Sequence, residues 1–214
     1  MRGSSLGSDD RARVLAQLAR FTGLSEDYID QTDLRIDIHR FCKELLRDQR
    51  RTVGRLDSRF TGIDRDAAGE ESEFDPSLAI ITGPYTATMN HYVRAELGFE
   101  SDLPYEILTG RVQPWSYADF ENKYVNAAET LRKAISANPY LKVFVANGYY
   151  DLATPYFATE YTFNHLGLDP SLRGNISMSY YEAGHMMYVH LPSLQQLKRD
   201  LAAFVDQSLP GSDR

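Results

Sequence analysis

A single cysteine, Cys42, stands in a chain of 214 residues, so no internal disulfide can form and the composition carries no sign of an oxidising compartment. No run of 18 or more apolar residues occurs, which leaves no candidate for a membrane-spanning helix. Basic residues are also in deficit. The formal net charge is −7 and the pI about 5.2, a balance that argues against nucleic acid as a main partner, because phosphate neutralisation needs a basic patch. The one basic cluster, Arg47-Asp48-Gln49-Arg50-Arg51, closes a helical pattern, where cations suit the helix dipole. The opening Met1-Arg2-Gly3-Ser4-Ser5-Leu6-Gly7-Ser8 lacks an apolar core and is expected to be a disordered or vector-derived start over residues 1–10, not a signal peptide. No metal or cofactor motif is complete. What remains, 43% hydrophobic and 25% charged residues, is ordinary globular composition.

Helical periodicity dominates residues 11–138. Leu34, Ile38, Phe41 and Leu45 form one stripe, and Gly23-Leu24-Ser25 breaks the region into separate helices with Ser25 as an N-cap. Gly54 to Gly62, GRLDSRFTG, alternates and reads as extended or hairpin-like. Residues 62–77 are acidic and half-match a calcium loop through Asp64, Asp66, Gly69 and Asp75. Ala68 offers no side-chain oxygen where one is needed, so a solvated surface loop is expected. Helices are expected from Pro84 to Leu97, with Tyr85, Met89, Tyr92 and Val93 on one face, and from Ser116, whose hydroxyl is placed for a capping box with Asp119.

From residue 139 to 209 the pattern changes. Leu141 to Ala146, LKVFVA, is a short apolar run suited to a parallel strand covered on both faces. A helix from Thr154-Pro155 to Gly167, a strand at 176–181 and a last helix from Pro192, with Leu194, Leu197, Leu201 and Phe204 facing in, complete a strand-helix-strand-helix order. Residues 210–214 read as a tail.

Chemistry in such sheets gathers where strands end. The first strand runs out into Asn147-Gly148-Tyr149-Tyr150-Asp151 and the second into Glu182-Ala183-Gly184-His185. The two residues lie 185 − 151 = 34 positions apart, one strand-helix-strand passage. Asp151 can then accept the Nδ1 proton of His185 and leave Nε2 to act as a base. Alone, Asp151 could instead serve the dipole of the following helix, and His185 could be a hydrogen-bonded core histidine. Together, in the order acid then histidine, they favour a catalytic pair. His190, five residues further on, has no partners at metal-ligand spacing and is read as structural.

VANGYYDLATP (145–155) followed by YYEAGHMMY (180–188) resembles the serine carboxypeptidase family of α/β-hydrolases, in particular its bacterial members. GRLDSRFTG, GPYTATMNHYVRAEL (83–97) and Trp115-Ser116-Tyr117 extend the resemblance over most of the chain. It implies an α/β fold: the C-terminal part of an α/β-hydrolase, two parallel core strands with helices over 139–209, preceded by a mainly helical cap and connecting region over 11–138. The resemblance assigns Asp151, in Gly148-Tyr149-Tyr150-Asp151, as the triad acid, and His185, in Gly184-His185-Met186, as the triad base. It implies a peptide substrate, no cofactor and no metal, with substrate-binding residues unassigned and a compartment that the sequence leaves open, family members often being exported.

The triad serine of that family lies in a Gly-x-Ser-x-Gly elbow between a strand and a helix. The literal match here, Gly3-Ser4-Ser5-Leu6-Gly7, follows no strand, so Ser5 is not read as a nucleophile. The expectation is therefore an acid and a base without their serine, in a chain inactive alone that depends on a complementary N-terminal segment or forms a homo-oligomer. Related acyl-transfer or hydrolytic chemistry on the same triad, or a non-catalytic interaction module derived from the fold, are the alternatives.

Overall fold

The computed structural model describes residues 5–209, which divide into two compact units. The first runs to Ala79 and takes in two short outliers, Tyr150–Ala153 and Gly184–Met186. Its opening helix, α1 (Ser8–Thr22), places Asp9 and Asp10 in the first turn, where they complement the dipole. The start expected to be disordered to residue 10 is therefore helical from Ser8, and residues 1–4 lie outside the described part. Gly23 ends α1 at φ 77°, its N–H bonded to the Ala19 carbonyl. Ser25 caps α2 (Glu26–Gln31), its hydroxyl accepting from the Tyr28 N–H at 3.2 Å, the role its position suggests. Asp37 caps α3 (Ile38–Glu44) in the same way.

The stripe Leu34, Ile38, Phe41, Leu45 does not lie on one helix. Asp33 and Leu34 both take left-handed backbone, with φ 51° and 63°, and the chain restarts its helix only after Asp37. The basic cluster also does more than close a helix. Arg47 binds Glu44 and reaches the carbonyls of Ala67 and Gly69, so it organises the acidic loop. Strands β1 (Thr52–Val53) and β2 (Thr61–Gly62) pair antiparallel, so the stretch 54–62, expected to be extended or hairpin-like, is for the most part the loop between two short strands, with only its last two residues in β2. The acidic loop is only partly solvated. Asp64 meets Lys43 Nζ at 2.5 Å, with the two side chains 3% and 5% exposed, and Lys43 also donates to the Asp66 carbonyl.

Helix α4 (Pro76–His91) starts eight residues before the expected Pro84 because Asp75 supplies a cap, accepting from the Ser77 N–H at 2.9 Å. It carries Pro84 in its interior and passes into a π-helical turn, Tyr92–Glu96, before Gly98 at φ 64°. Its Tyr85, Met89 and Tyr92 are exposed. The helix expected from Ser116 is a 3-10 turn, Ala118–Phe120, stopped by Asn122 at φ 57°. The Ser116 hydroxyl accepts from Ala118 N–H, two residues on, where a capping box would engage residue 119. A true helix, α5 (Ala127–Ala137), begins only after Asn126, whose side chain accepts from the Glu129 N–H.

The second unit, from Ile80 to Tyr149 and including Thr154–Ala183 and the chain from Met187, holds the larger sheet. Strand β3 (Val143–Gly148) starts two residues later than the apolar run suggests, since Leu141 is still bonded into the Asn138 turn. It pairs parallel with β4 (Ile176–Tyr181), from Val143↔Ile176 to Gly148↔Tyr181. Helix α6 (Tyr156–Asn164) connects them, and α7 (Leu191–Ser208) follows.

Alternation sends the two strands' side chains to opposite faces. On one, Val143 and Ile176 pack on the buried cluster Ile135, Leu166 and Leu168. On the other, the Phe144 ring lies 5.5 Å from Phe204 of α7, and buried Tyr181 donates to Asp200 at 2.8 Å. Leu197 joins that contact, whereas Leu194 and Leu201, expected to face in, are exposed. The chain is thus a mixed helix-and-strand protein in which, among the described residues, β3 and β4 each have one sheet neighbour.

Candidate functional site

The parallel register ends level, and the Tyr149 N–H bonds the Tyr181 carbonyl just beyond it at 3.0 Å. Each strand then gives way to a short turn that belongs to the first unit. In the first turn Asp151 is buried at 5% exposure. Its Oδ1 accepts from the Ala153 N–H at 2.8 Å, closing a two-residue Asx turn that fixes the carboxylate. Its Oδ2 lies 2.8 Å from Nδ1 of His185, in the second turn. The pair named from sequence is therefore in hydrogen-bond contact. The acid is enclosed, while the His185 side chain is 45% exposed. A buried carboxylate beside an accessible imidazole is the arrangement in which the acid fixes the tautomer and the ring meets a substrate or a nucleophile.

Both turns are held by the 54–59 segment. Leu56 receives the His185 N–H on its carbonyl at 2.7 Å, and Arg55 receives the Leu152 N–H at 3.0 Å. Ser58 donates its N–H to the Tyr150 carbonyl at 3.0 Å. Asp57, buried, accepts the Gly184 N–H on Oδ2 at 2.9 Å. The same carboxylate binds Arg59 through two nitrogens, Nε to Oδ1 at 2.9 Å and Nη2 to Oδ2 at 2.7 Å. The Arg59 guanidinium in turn lies over the Tyr150 ring, 4.8 Å from its centroid. Asp75 and Ser77 steady this segment from behind, accepting from the Arg55 and Leu56 N–H groups.

Two glycines are required by close approach. A Cβ on Gly184 would overlap the Leu56 carbonyl and Asp57 Cβ and stand 2.7 Å from Asp57 Cα. A Cβ on Gly54 would stand 2.6 Å from the Asp57 carbonyl and 2.7 Å from Ser77. Read as an extended or hairpin-like stretch, GRLDSRFTG assigns no role to Asp57 or Arg59. Asp57 and Gly184 are 127 positions apart, and no local pattern relates them.

The other candidates do not join this site. Ser5 is exposed at the start of the described residues, three positions before α1. His190 holds Ser193 through Nδ1 and Oγ at 2.8 Å, but that serine is buried in the first turn of α7, so the pair is structural. Burial pushes the Cys42 thiol up to about 11, which keeps it protonated and unsuited as a nucleophile. Among the described residues no group of three or more His, Cys, Asp and Glu side chains is placed to hold a metal ion, and no helix is long and apolar enough to cross a membrane. No protein-family model, curated protein or solved structure matches the chain.

Proposed function

We propose that this chain supplies the acid and base of a serine-type peptide hydrolase of the carboxypeptidase kind, on the C-terminal part of an α/β-hydrolase fold. The observation that carries the reading is the Asp151–His185 contact at 2.8 Å, with its acid buried and its imidazole accessible. In the complete site a serine Oγ attacks the peptide carbonyl while His185 Nε2 takes its proton. The C–N bond then breaks as the imidazolium returns that proton to the departing amino acid. Water, deprotonated by the same imidazole, releases the acyl group. Asp151 holds the ring through Nδ1 and stabilises its positive charge throughout. The nucleophile comes from a complementary segment, because no serine among the described residues has an elbow's setting.

The test is hydrolysis of a blocked dipeptide, N-benzyloxycarbonyl-Phe-Leu, read as free leucine. The purified chain is assayed alone and together with the product of the coding sequence directly upstream. Turnover only in the mixture, reduced by about 10³-fold or more in His185→Ala, supports the reading. A mixture as slow as buffer contradicts it and favours a non-catalytic module.

A further inference from the structure

We propose that the Asp57–Arg59 ion pair is a positioning buckle, one that joins the acid turn to the histidine turn and so sets the Asp151–His185 contact. The inference rests on reading those two residues as an acid–base pair.

The backbone links from Arg55, Leu56 and Ser58 hold each turn to the segment separately. The side-chain links differ in kind, because they tie the turns to each other. Asp57 Oδ2 is shared between the Gly184 N–H, next to His185, and Arg59 Nη2. Arg59 covers Tyr150, next to Asp151. One short path therefore runs from Gly184 through a carboxylate and a guanidinium to Tyr150. The joints are an amide hydrogen bond, a two-nitrogen ion pair and a cation–π contact.

Asp57 is suited to this duty. Its side chain is 3% exposed and its charge is compensated in place, with Oδ1 accepting from the Arg59 N–H and Nε and Oδ2 from Nη2 and Gly184. A buried carboxylate with four donors has no second low-energy orientation. Gly184 has no Cβ, so the histidine turn can approach within reach of Asp57 at all. Acid–base geometry has to hold within about 0.5 Å to be useful. Two turns held only by separate backbone bonds would be free to drift against one another, and the buckle removes that freedom.

The test reads the imidazole directly by two-dimensional NMR of the 15N-labelled full chain, which reports the proportion of His185 carrying its proton on Nδ1. Wild type, Asp151→Asn, Asp57→Asn and Arg59→Lys are compared, with the Tyr181 resonances as a control for folding. Asp57→Asn keeps the shape and removes the charge. Arg59→Lys keeps the charge and removes the planar, two-nitrogen grip.

The inference expects the ratio of Nδ1–H to Nε2–H forms to fall by about fivefold in both buckle variants, the size of one hydrogen bond weakened, with Tyr181 unmoved. If Asp57→Asn unfolds, Arg59→Lys decides, since its side chain is one-third exposed and tolerates exchange. A wild-type ratio retained in the folded buckle variants, while Asp151→Asn loses it, overturns the buckle and leaves the acid–base reading standing. A wild-type ratio that Asp151→Asn does not change overturns the acid–base reading, and the buckle with it.

Discussion

The 54–59 segment and the stretch from 80 to 126 use their residues in opposite ways. The first is short and polar, and nearly every group in it has a named partner: Asp57 with Arg59 and Gly184, Leu56 with His185, Ser58 with Tyr150. The second is rich in large apolar side chains that stay exposed, among them Leu97, Phe99, Leu103, Leu108 and Trp115. Directional bonds fix the first segment wherever its partners are present. Apolar side chains hold a conformation only by leaving water, and these have not left it. The Asp151–His185 contact is built on the segment of the first kind, so its geometry does not depend on filling a core.

The largest effect that would sharpen this contrast lies in the first unit. Lys43→Ala strands the Asp64 carboxylate in a buried position and is expected to cost about 3–5 kcal/mol in urea unfolding. The double variant Lys43→Met with Asp64→Leu removes both charges and should recover most of that loss. No single substitution between 97 and 117 should match the Lys43→Ala cost.

Glycine-to-alanine exchange gives the next contrast, with opposite signs. Gly184→Ala drives a Cβ into the backbone at Leu56 and Asp57 and is expected to cost about 1–3 kcal/mol or more, read as a lowered thermal midpoint. Gly110, in the 3-10 turn Gly110–Val112, has nothing within 4 Å of its would-be Cβ and no proline after it, so Gly110→Ala should stabilise by about 0.4–1 kcal/mol. Equal responses at the two positions would break the comparison.

The smallest effect is at Leu103, which is 78% exposed. Leu103→Lys should alter unfolding free energy by less than about 0.5 kcal/mol, while light scattering at high protein concentration should fall as apolar surface is lost.

Elements are legible in the sequence where a short-range interaction decides the structure. Ser25 caps its helix because its hydroxyl needs only Tyr28. The β3–β4 pairing followed from apolar runs separated by one helix, and the Asp151–His185 contact from their places after those runs. The errors arose where a distant or a backbone term overrode periodicity. Leu34 fits the stripe by spacing but sits in left-handed backbone. The helix expected from Ser116 is interrupted at Asn122, which takes left-handed backbone. Asp64 belongs to an acidic run yet is buried, because Lys43 arrives from 21 positions away. Asp57 was invisible for the same reason: its significance lies in Gly184, and only the folded chain brings the two together.

The central claim, that this chain holds the acid and base but not the serine, is tested most directly by covalent labelling. A fluorophosphonate probe reacts with a serine only when a working histidine activates it. Mass spectrometry after treatment of the chain alone should show no adduct. With the upstream segment present, the adduct should fall on that segment's serine and disappear in His185→Ala. An adduct on a serine of this chain that depends on His185 would contradict the account.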